Sequence, residues 1–397
     1  MTAGNQREQS TRIGAALGAV YFASFGALGL YAPYFPLWLD AHGFNGAAMG
    51  FIAALVPTLS FFGPPLLGAL SDARGGRGSL LSAASALGLA GMAGLCLAEW
   101  LGAARAFGIV FLASLAYAAS RSGLILLADR ISIEHGGSYG RRRVWGSIGF
   151  MLAAIGFGHW VPPQAARWLP GWVALALAAA LALSFVLPRA TSVRRAPALR
   201  ATRRSLARRE FAVFAACSAL SAASSSGYDL CAPLFFRDLG ASTDTIGWLY
   251  GTAVLAEVVL LACAGAFLPR LGPAQWLGLA YAGSALRWLC MSALSSVEVA
   301  FVLQPLHAIS FALTWTASLE YVRRSSEPHL FGSAQGAFMA ANAVGSVVGM
   351  LTWGPLYASA GGATVFRVAA ALSCGAALLA YAALVRQRAL AIVGASH

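Results

Sequence analysis

Long apolar runs alternate with short charged or Pro/Gly-rich breaks along almost the whole chain. Most runs are long enough for the roughly 20 apolar residues that a helix needs to cross a bilayer. This pattern predicts an all-α membrane protein with twelve transmembrane helices. The predicted spans are 13–39, 46–70, 79–101, 104–128, 143–162, 170–188, 211–236, 243–267, 274–296, 298–322, 331–358 and 363–385.

The composition supports a protein that lies mostly in lipid. Of the 397 residues, 59% are hydrophobic and only 10% are charged, whereas a soluble domain carries about 25% charged residues. Twelve spans use about 240 residues, so we expect short loops and tails and no soluble catalytic domain. The first apolar run is too long for the core of a signal peptide, and we expect it to be retained as a span.

The basic residues and the cysteines exclude several kinds of chemistry. All 27 basic residues are Arg, which excludes a Walker A loop and Schiff-base catalysis because both need a Lys. The six cysteines are scattered singly through apolar runs without a CxxC pair. This spacing predicts neither disulfides nor a metal site, and we expect no cofactor and no enzymatic activity.

Arginine residues fall mainly on one side of the predicted spans. Twenty-one of the 27 lie in the termini and in loops on that side, and the alternate loops hold only Arg105, Arg167 and Arg237. Cytoplasmic loops carry the excess of basic residues, so both termini and the central loop are predicted to be cytoplasmic. The net charge of +13 then reflects topology, and we expect a bacterial inner-membrane protein without a nucleic-acid partner.

The two halves of the sequence resemble each other across an Arg-rich centre. Ala32-Pro33-Tyr34-Phe35 recurs as Ala232-Pro233-Leu234-Phe235, and Gly68-Ala69-Leu70 recurs as Gly265-Ala266-Phe267. We therefore predict a six-helix half at 1–188, a cytoplasmic linker at 189–210 and a second six-helix half at 211–397. Parallel repeats of six helices are a transporter architecture in which the substrate binds near the membrane midplane.

The loop after the second span reads Gly68-Ala69-Leu70-Ser71-Asp72-Ala73-Arg74-Gly75-Gly76-Arg77. It resembles the G-x-L-x-D-R/K-x-G-R-R signature of the major facilitator superfamily. The resemblance implies a cytoplasmic gate that latches the two halves, formed by Gly68, Asp72, Arg74 and Arg77. An ordinary solvated turn is the alternative. In the second half, Pro269 stands where the Asp of this motif would fall, so that copy is degenerate.

A second motif opens the fifth predicted span, with the sequence Tyr139-Gly140-Arg141-Arg142-Arg143-Val144-Trp145-Gly146-Ser147-Ile148-Gly149-Phe150. Together with Pro33-Tyr34-Phe35-Pro36-Leu37-Trp38-Leu39 in the first span, it resembles the phenylpropionate permease branch, which is similar to the lactose permease. The resemblance covers nearly the whole chain. It implies the major facilitator fold and a proton-coupled carrier.

Charged residues within predicted spans are functional candidates, because charge in a membrane is energetically costly. The second half carries Asp229, Glu257, Arg287 and His307. Glu257 lies about 18 Å from the outer end of its span, and Arg287 and His307 lie about 12 Å from theirs. We expect these last three to meet, and the resemblance implies a proton-coupling network. A structural Glu257–Arg287 ion pair is the alternative. The lactose permease has a Glu where this chain has Ser310, so Glu257 or Asp229 is expected to carry the proton.

The first half offers a second set of candidates, for substrate binding. Arg121 lies inside the fourth span, and Asp129 and Arg143 lie where the fourth and fifth spans approach the cytoplasm. A guanidinium in a water-filled cavity suits bidentate binding of a carboxylate, although Arg121 has the alternative of snorkelling to the inner interface. We expect most aromatic residues at the end of the first span to face lipid or the interface. One or two, among them Tyr34 and Trp38, are candidates for lining the cavity.

These observations predict a proton-driven symporter that takes up a small organic solute, such as an aromatic or other monocarboxylic acid. A sugar or nucleoside symporter and a drug efflux antiporter are the alternative transporters. A membrane enzyme or a receptor is disfavoured because no metal-ligand spacing or G-x-S-x-G motif occurs. The expected partners are the solute, protons and the lipid bilayer, and we expect a monomer.

Overall fold

The computed structural model describes residues 3–74, 77–135, 138–187, 209–327 and 330–395, and all regular secondary structure in these ranges is helical. In chain order the α-helices are α1 (Ala3–Ala41), α2 (Gly46–Arg74), α3 (Arg77–Trp100), α4 (Phe107–Glu134), α5 (Tyr139–Trp160), α6 (Leu169–Ser184), α7 (Arg209–Asp238), α8 (Thr243–Phe267), α9 (Pro273–Ser292), α10 (Val297–Leu303), α11 (Thr314–Ser325) and α12 (Phe331–Ala395). Short 3₁₀ or π segments join several of them.

Eight segments within the described residues are long and apolar enough to cross a membrane. Helices α5, α7 and α9 are not among these eight. Each of the three carries a charged candidate residue: Arg143 in α5, Asp229 in α7 and Arg287 in α9. An all-helical membrane protein is thus confirmed, and the number of twelve spans stays a prediction.

Helix α12 is interrupted at one glycine. Its 65 residues would extend about 98 Å as a continuous helix, roughly three times the apolar thickness of a bilayer. Gly361 has φ 73° and ψ 173°, a backbone conformation that glycine adopts without a steric penalty. The break lies between the predicted spans 331–358 and 363–385.

The chain forms two compact units. The first comprises Met1–Arg195 together with Ala241–Gly251, and in it α1 lies against α5 and α6. The contact between α1 and α5 depends on glycine, since a Cβ added at Gly149 would overlap the Phe22 carbonyl oxygen. A Cβ at Gly29 would overlap the Phe150 carbonyl oxygen in the same way. Small residues let the two backbones approach closely, as is common in membrane helices.

The second unit comprises Ala196–Gly240 together with Thr252–His397. Its largest helix contact joins α7 and α12, where a Cβ at Gly345 would overlap the Ala219 carbonyl oxygen. Most of the predicted linker, residues 189–208, lies outside the described residues. The predicted domain boundaries therefore stay a prediction.

Candidate functional site

The second unit contains a buried polar cluster centred on Arg287 of α9, which is only 1% exposed. Arg287 Nη1 donates to Ser310 Oγ at 2.7 Å and lies 3.2 Å from His307 Nδ1. Its Nη2 donates a longer bond, 3.4 Å, to Gln304 Oε1. Because a guanidinium has no acceptor atom, His307 Nδ1 accepts in this contact and the imidazole proton lies on Nε2. We call Tyr228, Arg287, Gln304, His307 and Ser310 the Arg287 cluster.

Two aromatic rings contact this guanidinium. The Arg287 Cζ atom lies 4.4 Å from the ring centroid of Tyr228 and 4.6 Å from that of Trp288. Both distances are within the range of cation–π attraction. The Tyr228 hydroxyl donates to Gln304 Oε1 at 3.0 Å, so it also holds one of the acceptors that Arg287 uses. Hydrogen bonds to side-chain acceptors and contacts with two aromatic rings therefore help to hold this charge in place.

An irregular stretch of helix presents the partners of Arg287. Helix α10 ends in a 3₁₀ turn, Gln304–Leu306, and a π segment, Ala308–Leu313, follows His307. Pro305 lies within the 3₁₀ turn and has no N–H to donate. In a 3₁₀ turn residues three apart lie above one another, which explains why Gln304 and His307 face the same guanidinium. Single-turn π segments occur frequently at functional sites.

Two of the residues predicted for proton coupling, Arg287 and His307, are in contact. Ser310 accepts a bond of 2.7 Å from Arg287. Glu257 is half-buried on α8, and Asp229 is exposed on α7. The proton-coupling roles of these four candidates stay predictions. Sequence reasoning missed Gln304 and Tyr228, although the spacing of three between Gln304 and His307 next to a proline was a usable signal.

A second polar cluster, in the first unit, surrounds Asp129 of α4. The hydroxyl of Tyr21 donates to Asp129 Oδ1 at 2.6 Å, and that of Tyr139 donates to the same atom at 3.1 Å. Arg143 lies near enough to interact electrostatically with this carboxylate, and its Cζ lies 3.9 Å from the ring centroid of Phe25. We call Tyr21, Asp129, Tyr139 and Arg143 the Asp129 cluster. Tyr21 was missed because it precedes Asp129 by 108 residues.

Arg121 lies eight residues before Asp129 on α4, about 12 Å along the helix axis. It is half-buried, and its Nε atom is buried without a hydrogen-bond partner in the described part of the chain. One turn away, Tyr117 stacks on Tyr31 of α1 with ring centroids 4.3 Å apart. Arg121 is close enough to both phenols to interact with them electrostatically. Whether the side chain extends to the interface or serves the substrate site stays a prediction.

The aromatic residues near the end of α1 are buried, so the expectation that most of them face lipid was wrong. Tyr31 is 9% exposed, and Tyr34, Phe35 and Trp38 are each 3% exposed. The Tyr34 hydroxyl donates to the carbonyl oxygens of Ala154 and Thr243 at 2.7 and 3.2 Å, which occupies its polar atom. Trp38 Nε1 donates to a carbonyl oxygen of the neighbouring loop in the same way. Substrate contact by Tyr34 or Trp38 stays a prediction.

The residues of the predicted cytoplasmic gate are described only by their backbone. Gly68, Asp72 and Arg74 lie in the last turns of α2, and Arg77 begins α3. Their side chains lie outside the described residues, so the latch stays a prediction. In the part of the chain that the structure describes, no group of three or more His, Cys, Asp and Glu side chains is arranged to hold a metal ion.

Comparisons with known proteins agree with this picture of a helical membrane protein. The model of the MFS_1 like family matches residues 15–368. The chain is 28% identical over 337 residues to "Maltose permease" of Geobacillus stearothermophilus, and the aligned region covers 83% of each protein. It is 26% identical over 331 residues to "Probable 3-phenylpropionic acid transporter" of Escherichia coli (strain K12), covering 80% of this chain and 84% of that protein.

Solved structures share the fold at low sequence identity. The nucleoside transporter NupG superposes with a TM-score of 0.78 at 17% identity, covering 93% of this chain and 98% of that one. A D-xylose-proton symporter superposes with a TM-score of 0.72 at 16% identity, covering 94% and 97%. At these identities the likeness concerns the fold alone.

Proposed function

We propose, because this chain belongs to the MFS_1 like family of the major facilitator superfamily, that it is a proton-coupled symporter for a small organic acid. Transport and a multi-pass membrane location follow from the family. The coupling ion, the solute and the direction are the proposal. In the cycle that we propose, two six-helix halves rock around the bound solute, and Glu257 releases its proton as they do so.

The observation that carries the proposal is the Arg287 cluster. A charge that is 1% exposed within a membrane helix is costly and is retained for function by default. Its direct partner is His307, whose Nδ1 accepts from Arg287 only while that nitrogen carries no proton. Protonation of His307 at Nδ1 would break its bond with Arg287, so proton binding and the geometry of this cluster are linked.

Two observations favour an acid as the solute. Arg121 and Arg143 lie within helices of the first unit, and Arg121 has no paired carboxylate among the described residues. An arginine fork binds a carboxylate through two parallel hydrogen bonds. The Escherichia coli relative is also named for an aromatic monocarboxylic acid.

A sugar is the second candidate, because the Geobacillus relative is named a maltose permease. The Asp129 cluster supports this reading, since a carboxylate that accepts bonds from two phenol hydroxyls is also able to accept them from sugar hydroxyls. Sugar transport would leave the positive charge of Arg121 without a counterpart in the solute, which is why we rank it second.

The remaining parts of the proposal come from the sequence. They are twelve spans with both termini in the cytoplasm, a location in the bacterial inner membrane, and function as a monomer. The break at Gly361 supports the span count, since it divides α12 into two segments. Each segment is long enough to cross a bilayer.

The test is uptake by the purified protein in proteoliposomes with an imposed pH gradient, acidic outside. Labelled phenylpropionate, maltose and uridine are supplied separately, and the initial rate in empty liposomes is subtracted because a protonated acid also crosses lipid unaided. Faster protein-dependent uptake of phenylpropionate alone under the gradient supports the proposal. Gradient-driven uptake of maltose alone would replace the acid by a sugar, and uptake that ignores the gradient would refute proton coupling.

A further inference from the structure

We infer that Arg121 is the residue that anchors the carboxylate of the solute, and that the solute carries a single negative charge. The inference rests on the proposed function and adds to it the binding residue and the charge class. It also separates Arg121 from Arg143, which the sequence offers as an equal candidate.

Arg121 has hydrogen-bonding capacity that the described part of the chain leaves unused. Its Nε is buried without a partner, and we find neither an ion pair nor a hydrogen bond to its guanidinium among the described residues. A buried donor without a partner carries a free-energy penalty, and a charge inside a membrane span adds to it. A bound anion removes both penalties at once.

Arg143 differs from Arg121 because its surroundings already compensate its charge. It interacts electrostatically with Asp129 and with Tyr139. Its guanidinium also lies 3.9 Å from the centroid of the Phe25 ring. We therefore assign Arg143 to holding the Asp129 cluster together rather than to holding the solute.

The charges on this part of the first unit set the charge of the solute. Arg143 interacts with the carboxylate of Asp129, whereas Arg121 has no acidic partner among the described residues, which leaves the positive charge of Arg121 to be balanced. One carboxylate balances it, whereas a dicarboxylate would leave a negative charge about 12 Å or less from Asp129. A neutral sugar would leave Arg121 uncompensated.

The neighbourhood of Arg121 also indicates the body of the solute. Tyr31 and Tyr117 stack with centroids 4.3 Å apart, and Tyr31 stacks on Phe35 at the same distance. Two of these rings, Tyr31 and Tyr117, are near enough to Arg121 to interact with it electrostatically, so the surroundings of the guanidinium are aromatic. A carboxylate on an aromatic or otherwise apolar body fits this setting better than a hydroxylated acid does.

The experiment measures binding rather than transport, so that it is independent of coupling. Purified protein is titrated with phenylpropionate, with its neutral amide and with phenylsuccinate, and the ligand-induced rise in melting temperature gives the apparent Kd. We expect wild-type protein to prefer the monoacid over both analogues. Arg121→Gln should weaken binding of the monoacid at least about tenfold, as expected for a charge-assisted bond, and leave binding of the amide within about twofold.

Three further variants make the outcome decisive. Arg121→Lys keeps the positive charge but loses the two-pronged guanidinium, so it should bind the monoacid better than Arg121→Gln and less well than wild type. If the Gln variant does not fold, the Lys variant takes its place in the test. Arg105→Gln, in a predicted outer loop, is the matched control and should match wild type. A tenfold loss in Arg143→Gln with none in Arg121→Gln would overturn the inference while leaving acid transport intact. Wild-type protein that binds no acid would instead overturn the proposed function.

Discussion

Replacing Ser310 by Ala removes a short bond to the charge at the centre of the Arg287 cluster. Ser310 Oγ accepts from Arg287 Nη1 at 2.7 Å, and Ser310 is 5% exposed, so water has little room to take the place of the hydroxyl. Hydrogen bonds to charged groups contribute about 1.5–3 kcal/mol. At about 1.4 kcal/mol per factor of ten, we expect Ser310→Ala to lower gradient-driven uptake by roughly 10- to 150-fold.

The assay compares two rates in the same proteoliposomes. Gradient-driven uptake needs a proton to be bound and released, whereas counterflow of labelled against unlabelled phenylpropionate at equal pH does not. If the cluster serves coupling, Ser310→Ala should lower the first rate much more than the second. Ser310→Thr keeps the hydroxyl and should retain most of the gradient-driven rate.

The matched control is Ser292→Ala, on the same helix as Arg287. The Ser292 hydroxyl donates only to the carbonyl oxygen of Leu289 and is exposed, so both rates should stay near wild type. The reasoning is refuted if Ser310→Ala transports like Ser292→Ala. An equal loss of both rates in Ser310→Ala would show that the bond maintains the fold and does not serve coupling.

Three other predictions follow from the first unit and from the sequence. Tyr21→Phe should destabilise the purified protein by about 1.5–3 kcal/mol, because it loses a bond to the carboxylate of Asp129. Tyr139→Phe should destabilise it by less than about 1 kcal/mol, because Tyr139 is 37% exposed. Equal melting temperatures of the two variants would contradict this ranking. Asp72→Asn should lower transport at normal membrane expression if the gate is a latch used in one conformer, and a wild-type rate would identify an ordinary turn. A Cys at Ala201, in a background without the native cysteines, should react with impermeant thiol reagents only in inverted vesicles, since labelling of intact cells would reverse the topology.

The helices and the buried charges were predictable from the sequence because membrane burial imposes simple rules. A run of about 20 apolar residues has few alternatives to a helix in lipid, and a charge within such a run requires a partner or a cavity. Glu257, Arg287 and His307 were expected to meet on this basis, from their similar depths, and the structure joins Arg287 to His307. The interruption at Gly361 also falls at a Gly-Gly break between two predicted spans.

The missing parts of the sites depend on side-chain geometry that periodicity does not encode. Tyr21 bonds to Asp129 across 108 residues of sequence, and the sequence around either residue does not predict this bond. The aromatic residues after Tyr31 were assigned to lipid because belts of this kind usually face it. They are buried instead. The ring of Phe35 stacks on those of Tyr31 and Trp38, and Tyr31 also stacks on Tyr117 of α4. The Tyr34 hydroxyl donates to a backbone carbonyl oxygen. Which face of a helix turns inward was therefore the main unknown.

The central claim is that movement of the solute and movement of a proton are coupled, and Glu257 provides its most direct test. In proteoliposomes with an acidic exterior, we measure protein-dependent accumulation of phenylpropionate and, at equal pH, its counterflow. Wild-type protein should accumulate the acid, and Glu257→Gln, which mimics the permanently protonated carboxyl group, should exchange it without accumulating it. If the Gln variant accumulates phenylpropionate to the wild-type level, Glu257 is not the proton carrier. If wild-type protein exchanges phenylpropionate but never accumulates it, the protein is not a proton symporter.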